Sequence, residues 1–275
     1  MKRVHVPVTD SIAVGDGEPL LIVAGPCVIE SKELCRTIAA HVAEVCMELG
    51  VNFVFKASFD KANRTSLDAF RGPGLEAGLE ILRQVGEEFA VPLTSDIHDV
   101  SQVEQAGKVL DILQIPAFLC RQTDLLVASA ETGRVVNIKK GQFMAPGGMG
   151  PAVDKITESG NSRVLLTERG SSFGYGNLVV DMRAFVQMRA LGVPVVFDAT
   201  HSVQQPGGLG HATGGDRRFA PVLARAACAA GIDALFVEVH PDPDNAKSDG
   251  PNCLPLSEIR DVLKTARDLH ALCRP

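Results

Sequence analysis

The chain has 275 residues, of which 45% are hydrophobic and 22% are charged, and its formal net charge is −6. This composition is ordinary for a globular protein, and the negative charge argues against a nucleic-acid-binding protein that relies on bulk positive charge. We expect no membrane span, because no run approaches the roughly 18 uninterrupted apolar residues of a membrane helix. The N-terminal segment also lacks the apolar stretch of a signal peptide.

The first element predicted is a short β-hairpin within residues 1–18. Apolar residues alternate weakly on both sides of Thr9-Asp10, a pair that favours a turn. Cys27 follows in a predicted strand-end loop. It is one of seven cysteines with no C-x-x-C pair, and this odd number without an export signal argues against a disulfide framework.

Eight short apolar runs, rich in β-branched residues, then recur along the chain, and polar residues lie at or just beyond the C-terminal end of each. They are LLIVA (20–24), VNFVF (51–55), VPLTS (91–95), VLDIL (109–113), VVNIK (135–139), VLLTE (164–168), VPVVFDAT (193–200) and ALFVEV (234–239). Helical stripes separate several of them, at 34–49, 75–89, 178–188, 219–226 and 256–269.

Strands that alternate with helices indicate parallel βαβ units. Eight such strands in a chain of this length predict a single (β/α)8 barrel over residues 1–275, with the hairpin covering its N-terminal end. Four Gly/Pro-rich segments read as loops: 71–74, 145–151, 205–215 and 241–251. The last two follow the seventh and eighth strands and are candidate lids over an active site.

The first group of candidate site residues is cationic: Lys56, Lys61, Arg64, Lys139 and Arg169. Each alone is compatible with a solvated surface charge. A parallel barrel brings all five to one rim, where like charges repel unless an anion compensates them. Charge-assisted hydrogen bonds to phosphate or carboxylate contribute roughly 1.5–3 kcal/mol each. Five cations exceed the need of one monophosphate, so we expect at least two anionic groups.

The second group resembles a metal site: Cys27, His201, Glu238 and Asp249. They belong to the first, seventh and eighth predicted strands or their loops, which become neighbours when a barrel closes. One thiolate, one imidazole and two carboxylates suit Zn²⁺, Fe²⁺ or Mn²⁺. No local spacing motif supports the group, so a buried thiol and an unrelated histidine remain the alternative.

Long segments of the chain are similar to the 3-deoxy-D-manno-octulosonate 8-phosphate synthase family, from about residue 20 to the C-terminus. They include AGPCVIES (24–31), FKASFDKANRTS (55–66), NIKKGQFMAP (137–146), TERGSSFGYGNLVVDMR (167–183), DATHSVQQPGG (198–208) and EVHPDPDNAKSDGPNCLPL (238–256). The resemblance implies a (β/α)8 barrel that condenses phosphoenolpyruvate with D-arabinose 5-phosphate and water, and releases phosphate. It also implies lipopolysaccharide core biosynthesis, a cytoplasmic location and a homotetramer.

Site residues carried over by this resemblance fall into groups. Those expected at phosphoenolpyruvate are Lys56, Ser58, Lys61, Asp96, Gln114, Lys139 and Arg169, and those at the pentose phosphate are Asn63, Arg64 and Thr65. Many relatives have Ser where this chain has Thr65, and the hydroxyl is retained. The expected catalytic residues are Lys61, Asp96, His201 and Asp249. Phe118 and Arg121 match a segment that reaches toward a neighbouring subunit's site.

The resembled family has a metal-dependent branch with Cys at the position of Cys27 and a metal-independent branch with Asn. The chain is therefore similar to the metal-dependent branch, with Cys27, His201, Glu238 and Asp249 as expected ligands. Three alternatives stay open. They are a 3-deoxy-D-arabino-heptulosonate 7-phosphate synthase that uses erythrose 4-phosphate, a Schiff-base aldolase with Lys139 or Lys56, and a non-catalytic binding barrel.

Overall fold

A computed structural model describes residues 4–208 and 213–273 of the chain. Its strands are β1 (His5–Pro7), β2 (Ala13–Gly15), β3 (Leu21–Gly25), β4 (Asn52–Lys56), β5 (Leu93–Asp96), β6 (Ile112–Ile115), β7 (Val135–Lys139), β8 (Val164–Glu168), β9 (Ser171–Phe173), β10 (Asn177–Val179), β11 (Val195–Asp198), β12 (Gln204–Gln205), β13 (Gly214–Gly215), β14 (Ala234–His240) and β15 (Leu254–Pro255). Its α-helices are α1 (Lys32–Leu49), α2 (Leu75–Phe89), α3 (Val100–Gly107), α4 (Thr123–Glu131), α5 (Gly150–Glu158), α6 (Arg183–Arg189), α7 (Ala220–Ala229) and α8 (Ile259–Cys273).

Eight parallel strands close into a barrel, which confirms the predicted (β/α)8 fold. Strands β3 to β8 pair in chain order, β8 pairs with β11, β11 with β14, and β14 returns to β3. Each of the eight apolar runs overlaps one of these strands. The largest offset is at β6, because Val109 and Leu110 donate their N–H groups to Ala106 O and so still belong to the turn after α3.

The helices pack outside the barrel, and two of the predicted details change. The stripe over 178–188 is wrong in its first part, because Leu178 lies in β10, which forms an antiparallel hairpin with β9. The turn of that hairpin places Gly174 at φ 69°. The predicted loop 145–151 ends early, since Gly150 and Pro151 begin α5, where a proline needs no N–H acceptor. Helices α3, α4 and α5 have only eight or nine residues, too few for a repeating stripe.

The N-terminal hairpin packs on the end of the barrel that is remote from the polar residues. Strands β1 and β2 are antiparallel, with Val6 opposite Val14. Val6, Val8 and Val14 share one hydrophobic cluster with Leu21 and Ile112, which are the first residues of β3 and β6. A larger cluster fills the space between the barrel and the helices. Among residues 4–208 and 213–273, no helix is both long and apolar enough to cross a membrane.

Candidate active site

The carboxyl ends of the barrel strands surround a cavity of about 750 Å³. Nine of the predicted substrate-binding, catalytic and metal-ligand residues line it: Lys61, Asn63, Arg64, Thr65, Asp96, Lys139, Arg169, His201 and Asp249. They come from six different strand ends or the loops that follow, so the parallel barrel assembles them. Small-molecule pockets typically measure about 300–1,000 Å³, which makes this cavity the candidate active site.

The remaining predicted residues lie beneath the cavity rather than on its lining: Cys27, Lys56, Ser58, Gln114 and Glu238. Lys56 is fully buried. Its Nζ lies 2.6 Å from Glu238 Oε1 and donates to Cys27 O at 2.9 Å. Both contacts are to protein groups, so Lys56 compensates a buried carboxylate under the cavity instead of presenting its charge at the rim.

A chain of buried polar side chains fixes Asp96. Ser58 Oγ donates to Asp96 Oδ2 at 2.6 Å, and Gln114 Nε2 donates to Asp96 Oδ1 at 2.7 Å. Asn137 in turn donates to Gln114, and Thr167 to Asn137. Burial alone would raise the pKa of Asp96, but nearby ammonium groups, foremost that of Lys61, outweigh it and hold the pKa well below its usual value. Asp96 is therefore an ionised, oriented acceptor.

Three of the four predicted metal ligands are grouped. One potential ligand atom each from Cys27, Glu238 and Asp249 lies within 4.8 Å of the others. Cys27 Sγ is 3.1 Å from Asp249 Oδ2 and 2.8 Å from Ser248 Oγ. Burial, reinforced by the charge of Glu238, raises the pKa of the Cys27 thiol well above its usual value. The thiol is thus neutral without a cation, and a divalent ion there would replace its proton.

The fourth predicted ligand, His201, stands beside this group with a fixed ring. His201 Nδ1 is 2.7 Å from Asp198 Oδ2, and its Nε2 is 3.6 Å from Glu238 Oε1. A histidine whose one nitrogen bonds a carboxylate has its other nitrogen available to a metal. Glu238 Oε2 is buried and has no hydrogen-bond partner in the described part of the chain. An orphaned carboxylate oxygen beside a thiol, an imidazole and a second carboxylate fits a divalent cation.

Asp198 is not among the site residues predicted from the sequence, yet it connects the cationic residues with the metal-ligand residues. It is fully buried in β11 and accepts from Lys139 Nζ at 2.7 Å as well as facing His201. Burial alone would raise the pKa of Asp198, but His201 and Lys139 outweigh it and lower the pKa. The only signal in the sequence was the Asp three residues before His in DATH. Gln204 and Ser248 were also missed.

Three cations face the cavity in a buried setting. Lys139 and Arg169 are 6% and 5% exposed, and Lys61 Nζ is 3.8 Å from Asp96 Oδ2. Burial lowers the pKa of Arg169, although it remains a cation at neutral pH. One of its terminal nitrogens, Nη1, is buried and has no hydrogen-bond partner within the described ranges. An anion in the cavity would provide the missing acceptor.

The part of the cavity that is lined by the loop after β4 is more exposed to solvent. Asn63 and Thr65 are exposed, and Arg64 is half-buried. Arg64 donates through Nε to Phe70 O at 3.1 Å and through Nη2 to Lys247 O at 3.2 Å. The first bond stays within the loop after β4, and the second connects that loop with the loop after β14. Arg64 therefore lines the cavity from the loop after β4, whereas Lys139 and Arg169 lie at the ends of β7 and β8, across the barrel from β4.

Close packing of β3 on β4 beneath the site requires glycine at position 25. A Cβ on Gly25 would lie 1.8 Å from Lys56 O, a distance that forces the two strands apart. We expect Gly25→Ala to lower the free energy of unfolding by about 1–3 kcal/mol. Denaturant unfolding measures this effect. Gly147→Ala is the control, since a Cβ there meets nothing within 4 Å, and an equal loss in both variants would contradict the prediction.

Comparison with known proteins shows which protein family matches the chain. Residues 3–273 match the DAHP synthetase I family. The chain is 59% identical to the 2-dehydro-3-deoxyphosphooctonate aldolase of Syntrophotalea carbinolica over 96% of its own length and 95% of that protein. Proteins of the same name from Cyanothece sp. and Fusobacterium nucleatum are 56% and 53% identical, over 95% and 96% of this chain and 96% and 95% of theirs.

Proposed function

The chain belongs to the DAHP synthetase I family, and from this premise we propose that it condenses phosphoenolpyruvate with D-arabinose 5-phosphate and water. The products are 3-deoxy-D-manno-octulosonate 8-phosphate, used in lipopolysaccharide biosynthesis, and inorganic phosphate. The relatives named 2-dehydro-3-deoxyphosphooctonate aldolase support this transferase activity. One structural observation carries the assignment to this cavity: cations from the loop after β4 and from the ends of β7 and β8 line it, together with a group of metal-ligand side chains at or beneath it.

In this proposal the buried cations hold phosphoenolpyruvate. Arg169 Nη1 and the ammonium groups of Lys139 and Lys61 supply donors for its phosphate and carboxylate. Lys139 is itself oriented by Asp198 and lies over the Phe236 ring, 4.1 Å from the centroid. Holding both substrates in register converts a bimolecular encounter into a reaction between fixed neighbours.

The bond changes balance without any further reactant. C3 of phosphoenolpyruvate bonds to the aldehyde carbon of the pentose, water adds at C2, and the C2–O bond to phosphate breaks. Negative charge builds up on oxygen during these changes, and fixed cations stabilise it in a site that excludes bulk water. We propose that Lys61 and Asp96 contact the oxygen substituents of the reacting carbons, and the position of both on the cavity lining supports this.

We propose Cys27, His201, Glu238 and Asp249 as ligands of a resident Zn²⁺, Fe²⁺ or Mn²⁺. When bound, the ion supplies Lewis-acid chemistry, either to the aldehyde or to the water. The protein's own contribution is the preset geometry of the ligands. Asp198 fixes the ring of His201, and Lys56 occupies only one oxygen of Glu238, which leaves the other for the ion.

The experiment that tests the function is phosphate release from phosphoenolpyruvate, with arabinose 5-phosphate or erythrose 4-phosphate as acceptor, with and without chelator. Release with arabinose 5-phosphate supports the proposal, whereas preference for erythrose 4-phosphate favours the heptulosonate synthase. The Schiff-base alternative is disfavoured, because Lys56 and Lys139 are both paired with carboxylates and a paired ammonium is a poor nucleophile. Borohydride trapping with a keto acid checks this point.

Arg64→Ala is expected to weaken arabinose 5-phosphate binding by about 10- to 100-fold, the equivalent of one charge-assisted contact, and to leave phosphoenolpyruvate binding nearly unchanged. The reason is that Arg64 lies in the loop after β4, whereas Lys139 and Arg169 lie at the ends of β7 and β8, on the other side of the barrel. Calorimetric titration with each substrate measures the two effects. Arg183→Ala is the control, because Arg183 is exposed and pairs with Asp181. Equal losses for both substrates would count against the assignment of Arg64.

We also propose a cytoplasmic homotetramer. Aromatic side chains of three neighbouring loops are exposed on the site end of the barrel: Phe118, Phe143, Phe173 and Tyr175. Two of these loops touch, since Ser172 N donates to Gln142 O at 2.9 Å. Contiguous apolar patches on protein surfaces commonly mark interfaces. Sedimentation of Phe143→Ser and Phe173→Ser proteins tests this, with a smaller assembly expected than for wild type, and an unchanged tetramer would move the interface elsewhere.

A further inference from the structure

A single amide connects the anion-binding side of the cavity with the metal-ligand group. Gln204, in β12, accepts through Oε1 from Arg169 Nη2 and donates through Nε2 to Asp249 Oδ1 at 2.9 Å. A guanidinium has only donors and an ionised carboxylate has only acceptors. The amide therefore satisfies both neighbours in one orientation alone, and it is a directional link between them.

The link has a consequence for Asp249. With Oδ1 held by Gln204, the other oxygen, Oδ2, faces Cys27 Sγ at 3.1 Å and Ser248 Oγ at 3.2 Å. The backbone of Asp249 is in the left-handed region, at φ 49°, a conformation that a non-glycine residue keeps only with support from its surroundings. Gln204 provides such support and aims the second oxygen at the thiol.

The link has a matching consequence for Arg169. Gln204 occupies Nη2, whereas Nη1 is buried and has no partner among the described residues. The guanidinium is planar and its donors are rigidly disposed. Fixing Nη2 therefore fixes the direction of Nη1, the donor that remains for a phosphate or carboxylate.

We propose that Gln204 is a positioning residue that couples divalent-ion binding at Asp249 to anion binding at Arg169, an inference that rests on the proposed function and its metal site. A bound ion restricts the orientation of the Asp249 carboxylate. The hydrogen bonds of Gln204 then restrict the side-chain amide and, through it, the Arg169 guanidinium. By thermodynamic linkage an anion on Arg169 strengthens ion binding by the same factor. In this proposal Gln204 does not contact the reacting carbons. Its role is to hold Asp249 and Arg169 in positions that depend on each other.

Equilibrium binding in the absence of the pentose tests the coupling, since no turnover occurs. Calorimetry gives the affinity for phosphoenolpyruvate of the metal-free and the Zn²⁺-loaded protein, and chelator competition gives the Zn²⁺ affinity with and without phosphoenolpyruvate. We expect wild type to show the same coupling factor by both routes, within the roughly 5- to 150-fold range of such couplings. Gln204→Met, which keeps the side-chain length and loses both hydrogen bonds, should reduce that factor by about fivefold or more.

Two further variants keep the result interpretable. Gln205→Met is the matched control, because Gln205 is the exposed neighbour in the same strand, and its coupling factor should equal that of wild type. Gln204→Asn has a shorter amide that reaches only one of the two partners, and it gives the same test if Gln204→Met does not fold. Unchanged coupling in the folded Gln204 variant overturns the coupling and leaves the metal site standing. Wild-type protein that binds phosphoenolpyruvate but no Zn²⁺ overturns both.

Discussion

Replacing Cys27 by alanine is expected to remove the bound divalent ion and most of the activity together. Cys27 supplies the thiol of the group that also contains Glu238 and Asp249, and a thiolate is a strong ligand for a borderline divalent ion. Lewis-acid catalysis contributes several kcal/mol, so kcat/KM should fall by roughly 10³-fold. Elemental analysis and phosphate release, measured on the same preparation, follow the two losses in parallel.

Cys27→Asn separates two explanations of that loss. An amide in place of a charged thiolate should lower metal affinity steeply. The resembled metal-independent branch has Asn at this position, so we expect residual activity that resists chelator, well below the wild-type rate. Cys35→Ala is the matched control, since Cys35 is a buried thiol in α1 and should retain metal and activity. Full wild-type activity after verified metal removal would contradict the metal-dependent interpretation.

Lys139→Met is expected to weaken phosphoenolpyruvate binding and turnover, with kcat/KM lower by about 10²- to 10⁴-fold, as for the loss of an electrostatic group at a reaction centre. Methionine replaces the volume of the side chain without its charge. The change removes a cation from the cavity and also leaves the buried Asp198 with one cationic partner fewer. A single buried side chain thus affects substrate binding directly and His201 through Asp198.

Separate titrations with the two substrates distinguish this from general damage. Phosphoenolpyruvate affinity should fall, and arabinose 5-phosphate affinity should change little. Lys108→Met serves as the control, because Lys108 is an exposed residue in a surface ion pair with Glu104, and such pairs contribute only about 0–1 kcal/mol. Unchanged phosphoenolpyruvate affinity and turnover in Lys139→Met would remove Lys139 from the site.

The fold could be predicted from the sequence because a barrel strand that is buried on both faces is a continuous apolar run. Polar residues interrupt such a run mainly at its C-terminal end. β7 and β8 coincide with the runs predicted for them, residue for residue. Secondary structure was harder to predict where a helical spacing and a glycine-rich turn overlap. Leu178 has the spacing of the next helix, yet the glycines of RGSSFGYGN turn the chain into the β9–β10 hairpin before α6 begins.

Strand-end position and the family resemblance also predicted many of the side chains that gather at the cavity, because parallel strands place their carboxyl ends together whatever their separation in sequence. They did not predict the partners. Lys56 and Lys139 look similar in the sequence, since one follows and the other ends a predicted strand. Both pair with a buried carboxylate, but Lys56 lies beneath the cavity whereas Lys139 also lines it.

Such differences depend on which strand across the barrel supplies a carboxylate at hydrogen-bond distance, and only the closed barrel determines that. Lys56 in β4 meets Glu238 of β14, and Lys139 in β7 meets a carboxylate of β11, each two strands away. The same holds for Asp198, which joins Lys139 to His201, and for Gln204, which joins Arg169 to Asp249. The sequence by itself determined the barrel, its rim and the charges on it. The tertiary structure decided their pairing, because hydrogen bonds act over about 3 Å between groups that lie far apart in the chain.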